Sequence, residues 1–147
     1  MSKEVPNSEN WTRDYFRRVV EEVVATGVLK GARVEARPEW SMPGAVVVGQ
    51  IREMLDSSRC YWIIGGPDVS TDIVNSDVAR TPRDALRHFC LQWQLGADQV
   101  INASSKDPET GEHYREKARR LQKQAEDLYE IVEADQFWPE TNPGQFT

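Results

Sequence analysis

Cysteine, histidine and long apolar runs are all scarce in this chain, and each scarcity excludes a class of protein. The chain has only two cysteines and two histidines. Cys60 and Cys90 are too few for a disulfide scaffold, and a closed zinc site would need all four residues to converge or carboxylates to substitute for some of them. The longest apolar runs, residues 45–48 and 61–64, are far shorter than the ~20 residues of a membrane span. We therefore expect buried thiols, no metal, no cofactor and no membrane association.

Positive charge is also in short supply. The chain has 18 basic and 24 acidic residues, which gives a formal net charge of -6. An acidic chain is poorly suited to phosphate backbones and anionic lipid surfaces, so we expect no nucleic acid and a basic partner if there is one. The polar opening, residues 1–10, does not resemble a secretory signal, and together with the few cysteines it favours the cytoplasm.

Known catalytic motifs are absent as well. The stretch Gly65-Gly66-Pro67-Asp68 lacks the glycine spacing of a dinucleotide fingerprint and the Lys-Ser/Thr of a phosphate loop, so a turn explains it. No Gly-x-Ser-x-Gly elbow occurs. We assign no catalytic residue and favour a protein without enzymatic activity.

The composition that remains is that of a globular protein. With 147 residues, 39% of them apolar and 29% charged, the chain is predicted to form a single domain over residues 1–147. The ends, 1–9 and 139–147, are predicted to be tails, the second because Pro139, Pro143 and Gly144 disfavour regular structure.

Hydrophobic periodicity predicts an α+β fold with three helices packed on a small antiparallel sheet of about three strands. The helices are expected at residues 11–26, 82–103 and from about 107 or 110 to 134, with Gly27 ending the first and Thr81 capping the second. The strands are expected at 32–37, 45–53 and 59–65, the last two as a hairpin. Residues 68–80 show no clear period and are predicted to be a structured loop.

The predicted hairpin is apolar on both faces. Val46 and Val48 point to one side while Val47 and Ile51 point to the other. Both faces therefore need cover, which the chain's own helices, a second copy in a symmetric dimer, or another protein could provide. Cover by its own helices is the simplest interpretation.

Charge is unevenly distributed along the third helix. Its middle is basic, whereas its final turns carry several acidic residues and no basic ones, and acidic residues there oppose the helix dipole. An acidic helix end followed by Trp138 resembles a docking patch for a basic protein. The predicted partner-binding residues are Glu126, Asp127, Glu130, Glu133, Asp135 and Trp138. The alternative is a solvated helix end onto which Trp138 folds back.

A second candidate site is a pocket for a small molecule or metal ion. A loop carboxylate beside a helical histidine could orient the imidazole for general base catalysis, or several carboxylates could hold a hard cation. The predicted pocket residues are Asp68, Asp72, Arg87, His88 and Trp93. Because acidic residues also favour irregular loops, the structural explanation is preferred.

The residues Tyr61-Trp62-Ile63-Ile64-Gly65-Gly66, together with the stretch 82–95 (PRDALRHFCLQWQL), resemble a family of small proteobacterial proteins known only as a domain of unknown function. The resemblance implies a bacterial cytosolic α+β protein and brings no reaction or catalytic residue. It also suggests that Asp72, Arg87, His88, Trp93 and Gln94 lie together. We therefore favour a non-enzymatic interaction protein, for instance a toxin-neutralising immunity protein. The alternative is a small-molecule- or metal-binding protein or enzyme with its site around Asp68, Asp72, Arg87 and His88.

Overall fold

The computed structural model describes residues 8–29, 33–54, 59–104 and 108–139. It has the α+β fold that the sequence predicts, with three helices and a four-stranded antiparallel sheet. The elements in chain order are α1 (Ser8–Ala25), β1 (Val34–Met42), β2 (Val46–Glu53), β3 (Cys60–Gly66), β4 (Val69–Asn75), a 3₁₀ turn (Ser76–Val78), α2 (Pro82–Ser104), α3 (Pro108–Glu133) and a second 3₁₀ turn (Asp135–Phe137). Two compact units contain them, Met1–Pro82 and Arg83–Thr147.

The sheet has the strand order β1-β2-β3-β4, and every neighbouring pair is antiparallel. The predicted hairpin is confirmed as β2 and β3, in which Gly49 pairs with Ile63 and Ile51 with Tyr61. Its polar link, residues 55–58, lies outside the described residues. Predicted tail residues 1–7 and 140–147 lie outside them too.

The first strand is longer than predicted, because it continues past Pro38 to Met42. Proline lacks an N–H group and normally ends a strand, but it is tolerated on an edge strand and at a bulge. β1 is an edge strand, and its register with β2 shifts between Pro38 and Trp40. Both conditions are therefore met at this position.

The prediction that residues 68–80 form a loop is wrong for most of that segment. Residues 69–75 form β4, the other edge strand, and residues 76–78 form a 3₁₀ turn. Most side chains of β4 are partly exposed, without the clear alternation of a half-buried strand. The strand was not predicted because Asp and Asn, here Asp72 and Asn75, are uncommon in strands.

α1 ends as the sequence predicts. Gly27 adopts a φ of 81°, the left-handed conformation that stops a helix, and its N–H donates to the carbonyl oxygen of Val24 at 3.1 Å. The helix begins at Ser8, three residues before the expected start at Trp11.

One face of the sheet packs against α1. Phe16, Val19 and Val23 of the helix form a buried cluster with Val47, Ile51 and Ile63 of the hairpin. Gly49 allows this approach, since a Cβ at that position would lie 2.4 Å from the Phe16 ring.

The other face of the hairpin is also buried, at Val46, Val48, Trp62 and Ile64. The Trp62 indole N–H donates to the carbonyl oxygen of Ala79 at 3.0 Å. Apolar residues on both faces of the hairpin are therefore buried.

The second unit contains α2 and α3, which run antiparallel. Contacts between them join Arg83 to Val132 near one end and Asp98 to Gln122 nearer the other. The apolar stripe of α2 is buried from Leu86 to Ala97, whereas Val100, nearer the end of the helix, is exposed. No helix among the residues described here is long and apolar enough to span a bilayer.

Candidate functional site

The acidic end of α3 is capped by an arginine from α2. Arg83 Nε donates to the carbonyl oxygen of Val132 at 2.8 Å, and its Nη2 donates to the Asp135 carboxylate at 2.7 Å. Carbonyl groups at the end of a helix have no partner within the helix and carry a partial negative charge. The cation that the dipole requires there is therefore provided by a residue distant in sequence.

Two more carboxylates of this segment are paired within the chain. Arg87 Nη2 lies 3.9 Å from Glu133 while its Nη1 lies 2.6 Å from Asp84. Lys123 Nζ lies 3.3 Å from both carboxylate oxygens of Asp127. These exposed pairs are individually weak, on the order of 0–1 kcal/mol each. They still neutralise much of the charge that the sequence leaves unexplained.

Trp138 folds back onto α3, as the structural alternative for this residue predicted. Its indole N–H donates to the carbonyl oxygen of Ile131 at 2.9 Å, and the Arg83 guanidinium lies 5.8 Å from its ring centroid. The Ile131 carbonyl oxygen, which also accepts the backbone N–H of Ala134 at 3.2 Å, thus gains a second donor at the same helix end. Its role in binding a partner stays a prediction, although the side chain already has contacts within the chain.

Glu126 and Glu130 differ from the other predicted partner-binding residues. Both are exposed, and within the described part of the chain neither forms an ion pair. They lie one helical turn apart, where like charges destabilise a helix by roughly 0.2–0.5 kcal/mol. Among the acidic residues predicted to bind a partner, Glu126 and Glu130 therefore carry the negative charge that has no ion pair within the described residues.

The basic part of α3 is partly paired with acidic residues of its own first turns. Arg115 donates to Glu112 at 2.6 Å, and Arg119 lies 3.8 Å from the same carboxylate. The Arg115 hydrogen bond and the charges of both arginines lower the pKa of Glu112. Cations and anions thus alternate locally here, as is typical of a solvated helix face.

Two rows of side chains border the exposed junction between α2 and α3. On α2, Arg87, Leu91, Leu95 and Asp98 follow one another at spacings of four, four and three residues, and so lie on one face. On α3, Gln122, Glu126, Glu130 and Glu133 repeat the same spacing.

Contacts at both ends align these rows. Arg87 lies next to Glu133, and Asp98 accepts a hydrogen bond from Gln122 at 3.0 Å. Because the two rows have the same spacing, this alignment places Leu91 at the level of Glu130 and Leu95 at the level of Glu126. We refer to these four residues, Leu91, Leu95, Glu126 and Glu130, as the α2–α3 surface.

The sequence reasoning missed the two leucines of this surface. Leu91 is 51% and Leu95 55% exposed, and both lie away from the buried stripe of α2. The available signal was their spacing. Two leucines one turn apart on the polar side of an otherwise amphipathic helix indicate an exposed apolar patch.

Comparison with known families shows where the chain belongs. A family model described as "Domain of unknown function (DUF4826)" matches residues 6–138, which include every residue of the α2–α3 surface. The chain is a member of this family. No curated protein and no solved structure matches it.

Of the predicted pocket residues, two lie in the first unit of this DUF4826 protein. Asp68 is exposed in the turn between β3 and β4. Asp72 is partly buried on β4, and one of its carboxylate oxygens accepts the backbone N–H of Ile73 at 2.8 Å. At Asp72 the carboxylate therefore stabilises local backbone, as the structural explanation expects of acidic residues in irregular segments.

The other three pocket residues lie on α2. Arg87 is held by Asp84 and Glu133, His88 is partly exposed, and Trp93 is buried with its ring tilted against Phe89. No group of three or more His, Cys, Asp or Glu side chains among the described residues is arranged to hold a metal ion. The pocket stays a prediction.

The two thiols differ in environment. Cys90 is buried on α2, and burial raises its pKa to about 12. Cys60 is partly exposed at the start of β3. A thiol with so high a pKa is almost entirely protonated at neutral pH and is a poor nucleophile, so Cys90 behaves as a small apolar core residue.

Proposed function

We propose that this DUF4826 protein is a non-enzymatic interaction protein that binds a basic protein partner through its acidic α3 face. The observation that carries the proposal is the pair Glu126 and Glu130. These carboxylates are exposed one turn apart and have no ion pair within the described residues. A basic partner would relieve their mutual repulsion.

The surroundings of the pair support the same function. From residue 124 to the end, the sequence contains no lysine or arginine. Acidic residues therefore outnumber basic ones in the segment that carries Glu126 and Glu130, and such an excess speeds association with a basic surface and makes it sensitive to salt. Leu91 and Leu95 add apolar area beside the charges, as expected of the centre of an interface.

Glu133, Asp135 and Trp138 contribute less to the proposed interface than the sequence suggested. Each has a contact within the chain that accounts for its position. Asp127 is likewise paired, with Lys123, so binding is assigned mainly to Glu126 and Glu130. Neutralisation of a basic toxin by a cytoplasmic immunity protein is one concrete form of this function.

The test is affinity purification of a tagged copy from its native cell after chemical crosslinking. We expect a stoichiometric protein partner with the wild-type chain and its loss with Glu126→Lys/Glu130→Lys. The matched control is Asp14→Lys/Glu21→Lys, which makes the same charge change at two exposed positions on α1. Repeated absence of a partner, or equal recovery with both double variants, would contradict the proposal.

A further inference from the structure

The α2–α3 surface combines two chemistries at matched spacing. Leu91 and Leu95 lie one turn apart on α2, at the levels of Glu130 and Glu126 on α3. The spacing within each pair is about 6 Å along the helix axis. A ligand that contacts both pairs must therefore present apolar and basic groups repeating at that same interval.

We propose that this surface binds an amphipathic basic helix of the partner protein. Apolar residues of that helix, one turn apart, contact Leu91 and Leu95, while lysines or arginines on its flank contact Glu126 and Glu130. The inference rests on the proposed function and names the structure of the partner segment. Helices of this kind commonly dock on an apolar groove through residues at i, i+3 or i+4, and i+7.

Both chemistries are needed for this fit. Exposed ion pairs contribute only about 0–1 kcal/mol each, so two glutamates alone would select no particular shape. The leucines make favourable contacts with a partner whose apolar residues repeat at helical spacing. The acidic row beside them determines which flank of the partner helix must be basic. Shape and charge together specify one class of segment.

A second copy of the chain does not meet these requirements. A two-fold antiparallel pairing that places Leu91 against Leu95 of the second copy also brings Glu126 level with Glu130 of that copy. Like charges placed opposite each other cost free energy. The surface is therefore not self-complementary, and its occupant is a different protein.

The experiment measures binding of designed peptides to the full-length purified protein by fluorescence anisotropy. The probe is a Leu/Lys peptide of about 18 residues, long enough to be helical when bound, with its leucines along one helical face. One control peptide has the same composition with the leucines scattered, and another has glutamate in place of lysine. We expect the patterned Leu/Lys peptide to bind at least about tenfold more tightly than either control, a difference of about 1.4 kcal/mol.

Protein variants locate the site. Leu91→Ala/Leu95→Ala and Glu126→Lys/Glu130→Lys are each expected to weaken binding of the patterned peptide about tenfold or more. Tyr114→Ala, which removes another exposed apolar side chain of the same unit, and Asp14→Lys/Glu21→Lys are expected to leave it unchanged. All of these side chains are exposed or partly so, and circular dichroism checks that each variant folds.

Three results would overturn the inference. They are equal binding of patterned and scattered peptides, indifference to the leucine substitutions, and no binding of any peptide. The proposed function is judged separately, because a native partner captured through Glu126 and Glu130 would still support it without the helical pattern.

Discussion

Arg83, in the first turn of α2, donates a hydrogen bond from Nε to the carbonyl oxygen of Val132 in the last turn of α3. Its Nη2 also donates to Asp135, and its guanidinium lies over the Trp138 ring. One side chain therefore satisfies a helix end, neutralises a carboxylate and positions an aromatic residue. These contacts are of the kind that stabilise an acidic helix C-terminus.

Replacing Arg83 should destabilise the second unit. Arg83→Ala removes two charge-assisted hydrogen bonds from a partly buried side chain, so we expect a loss of about 1–3 kcal/mol. Arg83→Lys should recover only part of this, since an ammonium group cannot reproduce the fork geometry of a guanidinium. Urea unfolding measures both, and an Arg83→Ala change below about 0.5 kcal/mol, within the range of ordinary surface substitutions, would contradict the capping role.

Trp138 should matter for stability and not for binding. Trp138→Phe keeps a ring beneath Arg83 but removes the indole N–H donor to Ile131, for an expected loss of about 0.5–1.5 kcal/mol. Recovery of the native partner should be unchanged at temperatures where the variant is folded. A stable variant that no longer recovers the partner would instead place Trp138 in the interface.

Two glycines make a matched pair for testing the sheet–helix contact. A Cβ at position 49 would lie 2.4 Å from the Phe16 ring and 2.5 Å from the Arg37 carbonyl oxygen, whereas one at position 96 meets nothing within 4 Å. Gly49→Ala should destabilise the protein by about 1–3 kcal/mol through overpacking. Gly96→Ala should stabilise α2 by about 0.5–1 kcal/mol. Similar changes in the thermal stability of the two variants would contradict the close contact between Phe16 and β2.

The two thiols should react at different rates. Cys90 is buried with its pKa raised to about 12, so at pH 8 only Cys60 should react quickly with a disulfide reagent. Two fast thiols in the native protein would contradict the burial of Cys90.

Cys90 also makes alkaline stability predictable. The unfolded thiol ionises near its ordinary pKa of 9.0, while the folded thiol stays protonated until about pH 12. Folding stability from this group is therefore complete below pH 9 and declines as the pH rises toward 12. Cys90→Ala should show less of this decline, as measured by urea unfolding between pH 8 and pH 11.

Local patterns predicted most of the fold. The apolar stripes of α1 and α2 and the two-sided hairpin follow from periodicity alone, and Gly27 and Thr81-Pro82 mark helix ends within the sequence itself. β4 was missed because an edge strand needs no regular alternation and tolerates Asp72 and Asn75. The extension of β1 past Pro38 was missed for a related reason, since a bulge on an edge strand accommodates proline.

The candidate site was less predictable, since its electrostatics depend on tertiary contacts. The pairing of Arg83 with Asp135 joins residues 52 positions apart, and no local rule shows it. Without that pairing and the one between Arg87 and Glu133, the sequence does not distinguish Glu133 and Asp135 from Glu126 and Glu130. Only the antiparallel alignment of α2 and α3 shows that Leu91 and Leu95 lie beside the two unpaired glutamates.

Carboxyl footprinting tests the central claim most directly, namely that Glu126 and Glu130 are covered by another protein in the cell. Solvent-accessible carboxylates are labelled in native cell extract and in dilute purified protein, and the two labelling levels are compared residue by residue by mass spectrometry. We predict that Glu126 and Glu130 are protected several-fold in the extract, while Asp14 and Glu21 are labelled equally in both samples. Equal labelling of all four residues in the two samples would contradict the account.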